Sequence, residues 1–154
     1  CGKENLDFAL KLLEMGVDIN CKDRNEMTPF LHACEDGKVE LFEKLIEWGA
    51  DIHCLDFQGR NALHHTCKPH LIVIFSKLIE LGVDLNCRDV KGWSPLHCAC
   101  ENFCESRSFE IIKKMLENGV DLDCVTNDGE SPLQLNIMRA NRRLSSQLRE
   151  LGIK

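Results

Sequence analysis

Ser94-Pro95-Leu96-His97-Cys98-Ala99 is the stretch that decides the fold, because variants of it return along the chain at a fixed spacing. Thr28-Pro29 and Ser131-Pro132 repeat its opening, and Asn61-Ala62 does so less strictly. A Ser, Thr or Asn oxygen followed by proline is typical of a helix start, since the oxygen accepts a first-turn N–H and proline has no N–H to leave unpaired. The sequence therefore predicts the same short helix in four places.

A period of 33 residues runs through the chain and is clearest in its glycines and cysteines. The glycines are Gly16, Gly49, Gly82, Gly119 and Gly152, with one step of 37 residues among steps of 33. The cysteines form two series, Cys1, Cys34, Cys67, Cys100 and Cys21, Cys54, Cys87, Cys124. Such self-similarity is the signature of stacked structural repeats, in which each unit buries its apolar face against its neighbours.

A second helix is predicted in each unit from apolar residues at i, i+3 and i+7. The pattern occurs as Val39-Phe42-Ile46, Ile72-Phe75-Ile79 and Phe109-Ile112-Leu116. This spacing places each set on one face of a helix. The glycine after each helix suits a left-handed residue that ends it. The extended segment that follows is expected to form a hairpin between units.

The constant period, taken with Thr28-Pro29-Phe30-Leu31-His32-Ala33 and Ser94-Pro95-Leu96-His97-Cys98-Ala99, resembles the ankyrin repeat. The resemblance covers essentially the whole chain. It implies an all-α fold, an α-solenoid in which stacked helix-turn-helix units are joined by β-hairpin loops. We expect a single domain, 1–154, whose units are 1–22 (partial), 23–55, 56–88, 89–125 and 126–154.

The end units and the third complete unit depart from the pattern. The unit from Asp89 is four residues longer than its neighbours, and the extra length falls in 101–107, where we expect a loop between its helices. In the last unit the second-helix stripe becomes polar, at Arg142, Ser145 and Arg149. This predicts a solvated C-terminal cap. The first unit lacks its own hairpin and first helix, so the chain is expected to be a fragment of a longer protein.

Composition narrows the classes of function. The 154 residues are 44% hydrophobic and carry 19 Lys+Arg against 25 Asp+Glu, a formal net charge of −6. This balance argues against nucleic acid as a partner, since binding phosphates requires surplus Lys and Arg. No stretch approaches the roughly 18 apolar residues of a membrane span, and none is typical of a secretory leader. Neither nucleic acid nor a membrane is therefore an expected partner.

The ten cysteines are expected to be reduced and packed. Equivalent residues in stacked repeats lie about 8–10 Å apart when helix packing sets the spacing, whereas a disulfide needs Cα atoms within about 7 Å. Reduced, buried thiols are typical of a reducing compartment, so a cytoplasmic or nuclear location is expected.

Two alternatives rest on the same cysteines. The first is a zinc site at 97–100 with Cys104, and the second is a thiol-based redox or metal sensor. A structural zinc site needs four ligands, and no second ligand pair completes the set here. We therefore predict no metal and no cofactor.

Histidines near Cys67 suggest a catalytic alternative that the pattern disfavours. A Cys–His nucleophile needs an exposed thiol with a lowered pKa, but Cys67 belongs to a series expected to be buried, and His64, His65 and His70 surround it. The resemblance implies that His64 and His97 are structural hydrogen-bonding residues between repeats. No phosphate-loop, metalloprotease or serine-hydrolase motif is present. The chain is predicted not to be an enzyme.

The resemblance also implies a protein partner on the concave side, where hairpin tips and the exposed faces of first helices lie. The residues predicted to bind it are Arg24, Met27, Leu55, Phe57, Arg60, Arg88, Lys91 and Trp93. Phe57 and Trp93 stand out, because exposed aromatic side chains at tips have no core to fill. The surrounding cations favour an acidic or phosphorylated partner. The alternative is that both aromatic rings pack across adjacent hairpins.

The predicted function is a non-enzymatic protein-interaction module, a scaffold or adaptor that is monomeric as an isolated domain. The alternative is a regulatory ankyrin segment of a larger enzyme whose catalytic domain lies outside this chain. The resemblance adds Asn20 and Asn86, whose setting is similar to ankyrin sites modified by asparaginyl hydroxylases. Their alternative role is to stabilise the turn.

Overall fold

The fold is an array of short helices, which a computed structural model describes for residues 11, 15–101, 106–138 and 149–150. The helices are α1 (Pro29–Asp36), α2 (Val39–Glu47), α3 (Ala62–His65), α4 (Ile72–Glu80), α5 (Pro95–Glu101), α6 (Ser106–Glu117) and α7 (Pro132–Met138). A 3₁₀ turn, Pro69–Leu71, leads into α4. No strand is assigned in these ranges. The predicted all-α class is confirmed for this part of the chain.

Three of the first helices, α1, α3 and α7, begin with a side-chain cap. Thr28 Oγ1 accepts the Leu31 N–H at 3.3 Å, and Asn61 Oδ1 accepts two first-turn N–H groups. Ser131 and Gln134 form a reciprocal pair, in which Gln134 Oε1 accepts the Ser131 N–H at 2.7 Å and Ser131 Oγ accepts the Gln134 N–H. These bonds satisfy donors that a helix start leaves free. The predicted helix starts are confirmed.

Glycines in the left-handed region follow both helices of unit 23–55 and the second helices of the next two units. Gly37, between α1 and α2, has φ of 71°, and a Cβ there would lie 2.7 Å from a Leu71 methyl carbon of the next unit. The predicted helix-ending glycines Gly49, Gly82 and Gly119 have φ of 85°, 76° and 78°. L side chains rarely adopt this conformation, so glycine is required by the turn itself.

The core lies between the two helices of a unit and between neighbouring units. The rings of Phe30 on α1 and Phe42 on α2 stack with centroids 5.5 Å apart. First helices pack on first helices along the series α1, α3, α5 and α7, and second helices do so along α2, α4 and α6. Each unit therefore covers apolar surface of the next, and the repeats are stabilised by stacking.

The buried face of the second helices is displaced from the predicted stripe. Phe42, Phe75 and Ile112 are fully buried as expected, but the predicted residues on either side of them are only half-buried. The fully buried neighbours lie three residues later instead, at Leu45, Leu78 and Met115. The predicted stripes still face the core, because Val39, Ile46, Ile72, Ile79 and Leu116 are partly buried against it. The buried face is therefore wider than the predicted stripe.

Tight turns connect one unit to the next, and a carboxylate organises three of them, whereas the Thr126 hydroxyl takes that place in the fourth. The Asp56 N–H donates to the Arg60 carbonyl at 3.0 Å, and Asp56 Oδ1 accepts the N–H groups of Gln58 and Arg60 at 2.8 and 2.9 Å. Asp23 and Asp89 close their turns with the same bonds. No β-strand accompanies these turns in the ranges that the structure covers, so the implied β-hairpins are not confirmed.

Several expectations fall on the rest of the chain. Outside the described residues lie 102–105, Cys1, Cys104, Arg142 and Ser145. Helix α5 ends at Glu101 and α6 begins at Ser106, so most of the predicted loop is among them. Arg149 is described and is exposed. None of the described helices is long and apolar enough to cross a membrane.

Candidate interaction surface

The turns between units form one row, because a backbone hydrogen bond joins each turn to the next. In every case an N–H of one turn donates to a carbonyl of the preceding turn. The pairs are Phe57 and Asn25 at 3.1 Å, Val90 and Gln58 at 2.8 Å, and Asn127 and Lys91 at 2.9 Å. We call nine of the exposed side chains at these turns the tip row: Lys22, Arg24, Leu55, Phe57, Arg88, Val90, Lys91, Val125 and Asn127. Asp23, Asn25, Glu26 and Asp128 are exposed beside them.

Four side chains of the tip row are large, apolar and exposed. The exposed fractions are 41% for Leu55, 55% for Phe57, 64% for Val90 and 41% for Val125. The repeat pattern places Val90 and Val125 at hairpin tips, but they were not among the eight residues singled out for binding. The period could have identified them, since Val90 follows Phe57 by one unit and Val125 follows Leu55 by two. Exposed apolar side chains grouped within a polar surface are typical of interaction sites.

Met27 does not belong to this surface, and its predicted role is wrong. Only 6% of it is exposed, and it packs in the hydrophobic core. It is the last residue of its turn, directly before the helix cap Thr28, and its N–H is held by Asp23 Oδ1 at 3.0 Å. Arg60 and Trp93 occupy the equivalent position and are half-buried. This turn position therefore directs its side chain away from solvent.

Trp93 packs within its own unit. Its ring lies beside the imidazole of His97, with centroids 6.1 Å apart and planes tilted by 40°. Its carbonyl accepts a hydrogen bond from His64 of the preceding unit at 3.0 Å. The two predicted aromatic anchors thus differ: Phe57 is exposed, whereas Trp93 belongs in part to the framework.

Arg60 directs its charge toward a buried carboxylate. Its Nε lies 3.6 Å from Asp56 Oδ2, and His65 Nε2 lies 3.1 Å from the same oxygen. Burial lowers the pKa of His65, while the charge of Asp56 acts in the opposite direction. Much of the Arg60 charge is therefore compensated inside the molecule.

Arg88 bridges two units through backbone carbonyls. Its Nε donates to the Gly92 carbonyl at 3.3 Å, and its Nη2 donates to the Val125 carbonyl of the next unit. By contrast, the side chains of Arg24 and Lys91 make no ion pair or hydrogen bond with any other described residue. Of the predicted cationic binding residues, Arg24 and Lys91 are thus the two whose charges are available to a partner.

Histidines tie neighbouring units together. His97 Nδ1 accepts the Ser94 N–H at 3.1 Å, and its Nε2–H donates to the Glu130 carbonyl of the next unit at 3.2 Å. His64 reaches the Trp93 carbonyl in the same way. Burial lowers the pKa of both imidazoles, although the bond to a carbonyl opposes the shift. The predicted structural role of these two histidines is confirmed.

Comparison with protein families identifies the repeat. The model described as ankyrin repeats in three copies matches residues 1–89, 32–123 and 70–151, which together span nearly the whole chain. The chain belongs to the ankyrin repeat family. No curated protein matches its sequence. Ankyrin repeats are generally protein–protein interaction modules and are usually non-catalytic.

The cysteines of these ankyrin repeats are free thiols wherever the structure describes them. Cys67 Sγ contacts the Leu63 carbonyl of its own unit at 3.0 Å and the Pro95 carbonyl of the next unit at 3.2 Å. Burial raises the pKa of Cys67, and it raises that of Cys100 to about 12. Thiols of this kind are structural and poorly reactive.

One cysteine of the two series is exposed, contrary to the prediction. Cys54 lies 3.2 Å from the helix cap Thr28, and Cys124 lies 3.4 Å from the cap Ser94. Cys21, at the equivalent position of the first unit, is exposed. Within the described ranges, no three His, Cys, Asp or Glu side chains are grouped to hold a metal ion. Cys104, a ligand in the disfavoured zinc alternative, lies outside them.

The asparagines named for hydroxylation have a structural role. Asn20 Oδ1 accepts the Asp51 N–H of the next ankyrin unit at 2.8 Å, and Asn86 Oδ1 accepts the Asp121 N–H at 2.8 Å. The turn-stabilising alternative is therefore present at both positions. Their modification stays a prediction.

Proposed function

We propose that the chain is a non-enzymatic module that binds a protein or peptide partner along the tip row. The observation that supports this most directly is the placement of Leu55, Phe57, Val90 and Val125 at successive turns, exposed and adjacent. None of these four side chains belongs to the hydrophobic core of the described residues. An apolar strip of this kind is best explained by a partner that covers it.

The energetics of such a surface favour binding without refolding. Fully burying an apolar side chain of this size contributes about 1.5–3 kcal/mol, and aromatic residues dominate measured interface energies. Phe57 is therefore expected to contribute most. Because backbone bonds already hold the turns in register, a partner would order few groups here on binding.

The charges beside the strip suggest the chemistry of the partner. Arg24 lies in the turn before Phe57, and Lys91 lies next to Val90. Both are exposed, and their charges are uncompensated by other described residues. We infer a partner segment that has apolar side chains with acidic or phosphorylated groups beside them. The two cations would contribute more to the orientation of that segment than to its affinity.

The thiols bear on the cellular compartment of the module, and the helix packing bears on its architecture. Free, buried cysteines with raised pKa values support a reducing compartment, the cytoplasm or the nucleus. The pairwise packing of helices along both series supports a stacked solenoid. We propose that it acts as a monomer in a scaffold or adaptor role.

A capture experiment tests this function. The wild-type chain, Phe57→Ala and Val90→Asp are used to retain proteins from a reducing cell extract, which are identified by mass spectrometry. Val73→Asp is the matched control, since Val73 is 53% exposed but lies on α4 outside the tip row. A specific partner should be retained by the wild type and Val73→Asp and lost by the tip variants. Equal retention by all four proteins would contradict the proposal.

A further inference from the structure

Two basic side chains share one oxygen of the buried Asp56 carboxylate. Asp56 is 6% exposed and His65 is 8% exposed, and Asp56 Oδ2 accepts the His65 Nε2–H at 3.1 Å. The Nε of Arg60 lies 3.6 Å from the same oxygen. This Nε is buried, yet it donates no hydrogen bond to a described residue. The imidazole therefore holds the carboxylate by a hydrogen bond, whereas the guanidinium is held there by charge alone.

The preceding unit shows that the same histidine–aspartate pair is complete without an arginine. Asp23 Oδ2 accepts the His32 Nε2–H at 2.9 Å, and Met27 stands at the position equivalent to Arg60. In both units, Oδ1 of the aspartate accepts the backbone N–H groups that close the turn. Arg60 is thus an addition to a pair that recurs, and its departure from Asp56 would leave the bonds of the turn in place.

Protonation of His65 would place two cations beside one carboxylate oxygen. Burial lowers the pKa of His65 from its ordinary value of 6.5, while Asp56 opposes that shift and Arg60 adds to it. Arg60 is the easier cation to displace, because its side chain is 35% exposed and that of His65 only 7%. The other titratable or charged groups around this cluster are Glu35 on α1, His64 on α3, Asp89 in the next turn and Cys98 on α5.

We propose that Arg60 is a pH-controlled binding residue, held inward by Asp56 while His65 is neutral and released toward a partner when His65 is protonated. The proton comes from solvent, and the charged imidazole then neutralises the carboxylate by itself. Arg60 belongs to the same turn as Phe57, so the released guanidinium joins the two uncompensated cations beside the apolar strip. The inference rests on the proposed function, because it adds to the tip row a contact for an acidic partner group that strengthens as the pH falls.

An NMR titration of the full chain from pH 7.5 to 5.5 tests the release without a partner. The Nε–H signal of Arg60 and the imidazole signals of His65 should move with one common midpoint. In His65→Gln, whose amide can still donate to Asp56, the Arg60 signal should stay fixed. In Arg60→Ala, His65 should titrate about 0.5 pH units higher, because a like charge is gone. An Arg60 signal that never moves, or that moves equally in His65→Gln, would overturn the proposal.

His32 is the matched reference within the same chain. It pairs with an aspartate but has no arginine beside that pair, so Arg60→Ala should leave its signals unchanged throughout the titration. Equal changes at His32 and His65 would mean that the variant alters the fold rather than a local charge, and would contradict the assignment. Far-UV circular dichroism at both ends of the titration verifies that each protein keeps its helices.

An acidic peptide, acetyl-Glu-Leu-Glu-Leu-Glu-amide, tests the consequence for binding. Its glutamates stay ionised at both pH values. Between pH 7.5 and 5.5, its affinity for the wild type should rise about threefold more than its affinity for Arg60→Ala or His65→Gln. An equal rise for all three proteins would contradict the proposal. Phe57→Ala reports on the tip row separately, since it should weaken the peptide at both pH values and leave the coupled titration of Arg60 and His65 unchanged.

Discussion

His97 of one unit donates its Nε2–H to the backbone carbonyl of Glu130 in the next, 33 residues further along the chain. Its other nitrogen accepts the N–H of Ser94 at the start of its own helix. One neutral imidazole therefore caps a helix and joins two units at the same time. Because protonation would convert Nδ1 from an acceptor into a donor, this arrangement requires an uncharged ring.

Acid is expected to destabilise the chain through these histidines. Burial lowers the pKa of His64 and His97 below the value of 6.5 that applies when unfolded. The unfolded state then binds more protons, so their contribution to stability is complete above about pH 6.5 and declines as the pH falls toward the folded pKa values. Urea unfolding at pH 7.5 and 5.5 should show a lower free energy of unfolding at pH 5.5.

A variant isolates the contribution of the histidines to that pH dependence. Gln134 occupies the equivalent position in the last unit, where its Oε1 accepts the Ser131 N–H. His64→Gln/His97→Gln should therefore fold and should show a smaller difference between the two pH values. An unchanged difference would contradict the assignment of the effect to these imidazoles.

Core and surface positions of α4 should respond very differently to truncation. Phe75 is fully buried, so Phe75→Ala is expected to cost about 3–5 kcal/mol in the free energy of unfolding. Val73, two residues earlier, is 53% exposed, and Val73→Ala should cost less than about 0.5 kcal/mol. Urea denaturation of both variants measures the difference. Similar losses would mean that the packing of α4 is misassigned.

Thiol reactivity should separate the cysteines by burial. Cys21 is exposed, whereas Cys67 and Cys100 are buried with raised pKa values. Alkylation of the native chain, followed by peptide mass spectrometry, should label Cys21 first and leave the other two unlabelled until the chain unfolds. All ten thiols should react in denaturant without reductant. Rapid labelling of Cys100 in the native chain would contradict the buried placement.

Arg88 and Lys91 should behave differently although both are exposed cations of the tip row. Arg88→Ala removes two hydrogen bonds to carbonyls, one of them in the next unit, and is expected to cost about 1–2 kcal/mol in the free energy of unfolding. Lys91→Ala should leave that free energy within about 0.5 kcal/mol. It should instead weaken binding of the captured partner, most clearly at low salt. The reverse pattern would show that the two roles are exchanged.

The repeated framework could be predicted from the sequence because each of its parts has a local cause. Capping oxygens, prolines and helix-ending glycines act on their nearest neighbours, so a short motif is sufficient to place them. Thr28, Asn61 and Ser131 therefore cap helices where the pattern indicated. The role of His97 came from the family resemblance, and the structure supplies its geometry.

The surface was harder to predict because exposure depends on contacts between units. Met27, Arg60 and Trp93 share one turn position, and sequence does not show that this position points inward. Arg88 donates to a carbonyl 37 residues away, and a local sequence pattern cannot show such a bond either. Cys21 is exposed although its series was expected to be buried. Arg88 is the clearest case, because the carbonyl that its Nη2 binds lies in another repeat.

The backbone hydrogen bonds that join successive turns give the tip row a regular spacing. The distance from one tip to the next is set by a main-chain N–H and a carbonyl, as between Phe57 and Asn25 or Val90 and Gln58. Side chains at the tips can therefore be exchanged without altering the pitch on which they are displayed. If a partner binds along the tip row as proposed, its anchoring groups must recur at that spacing, whichever side chains stand at the tips.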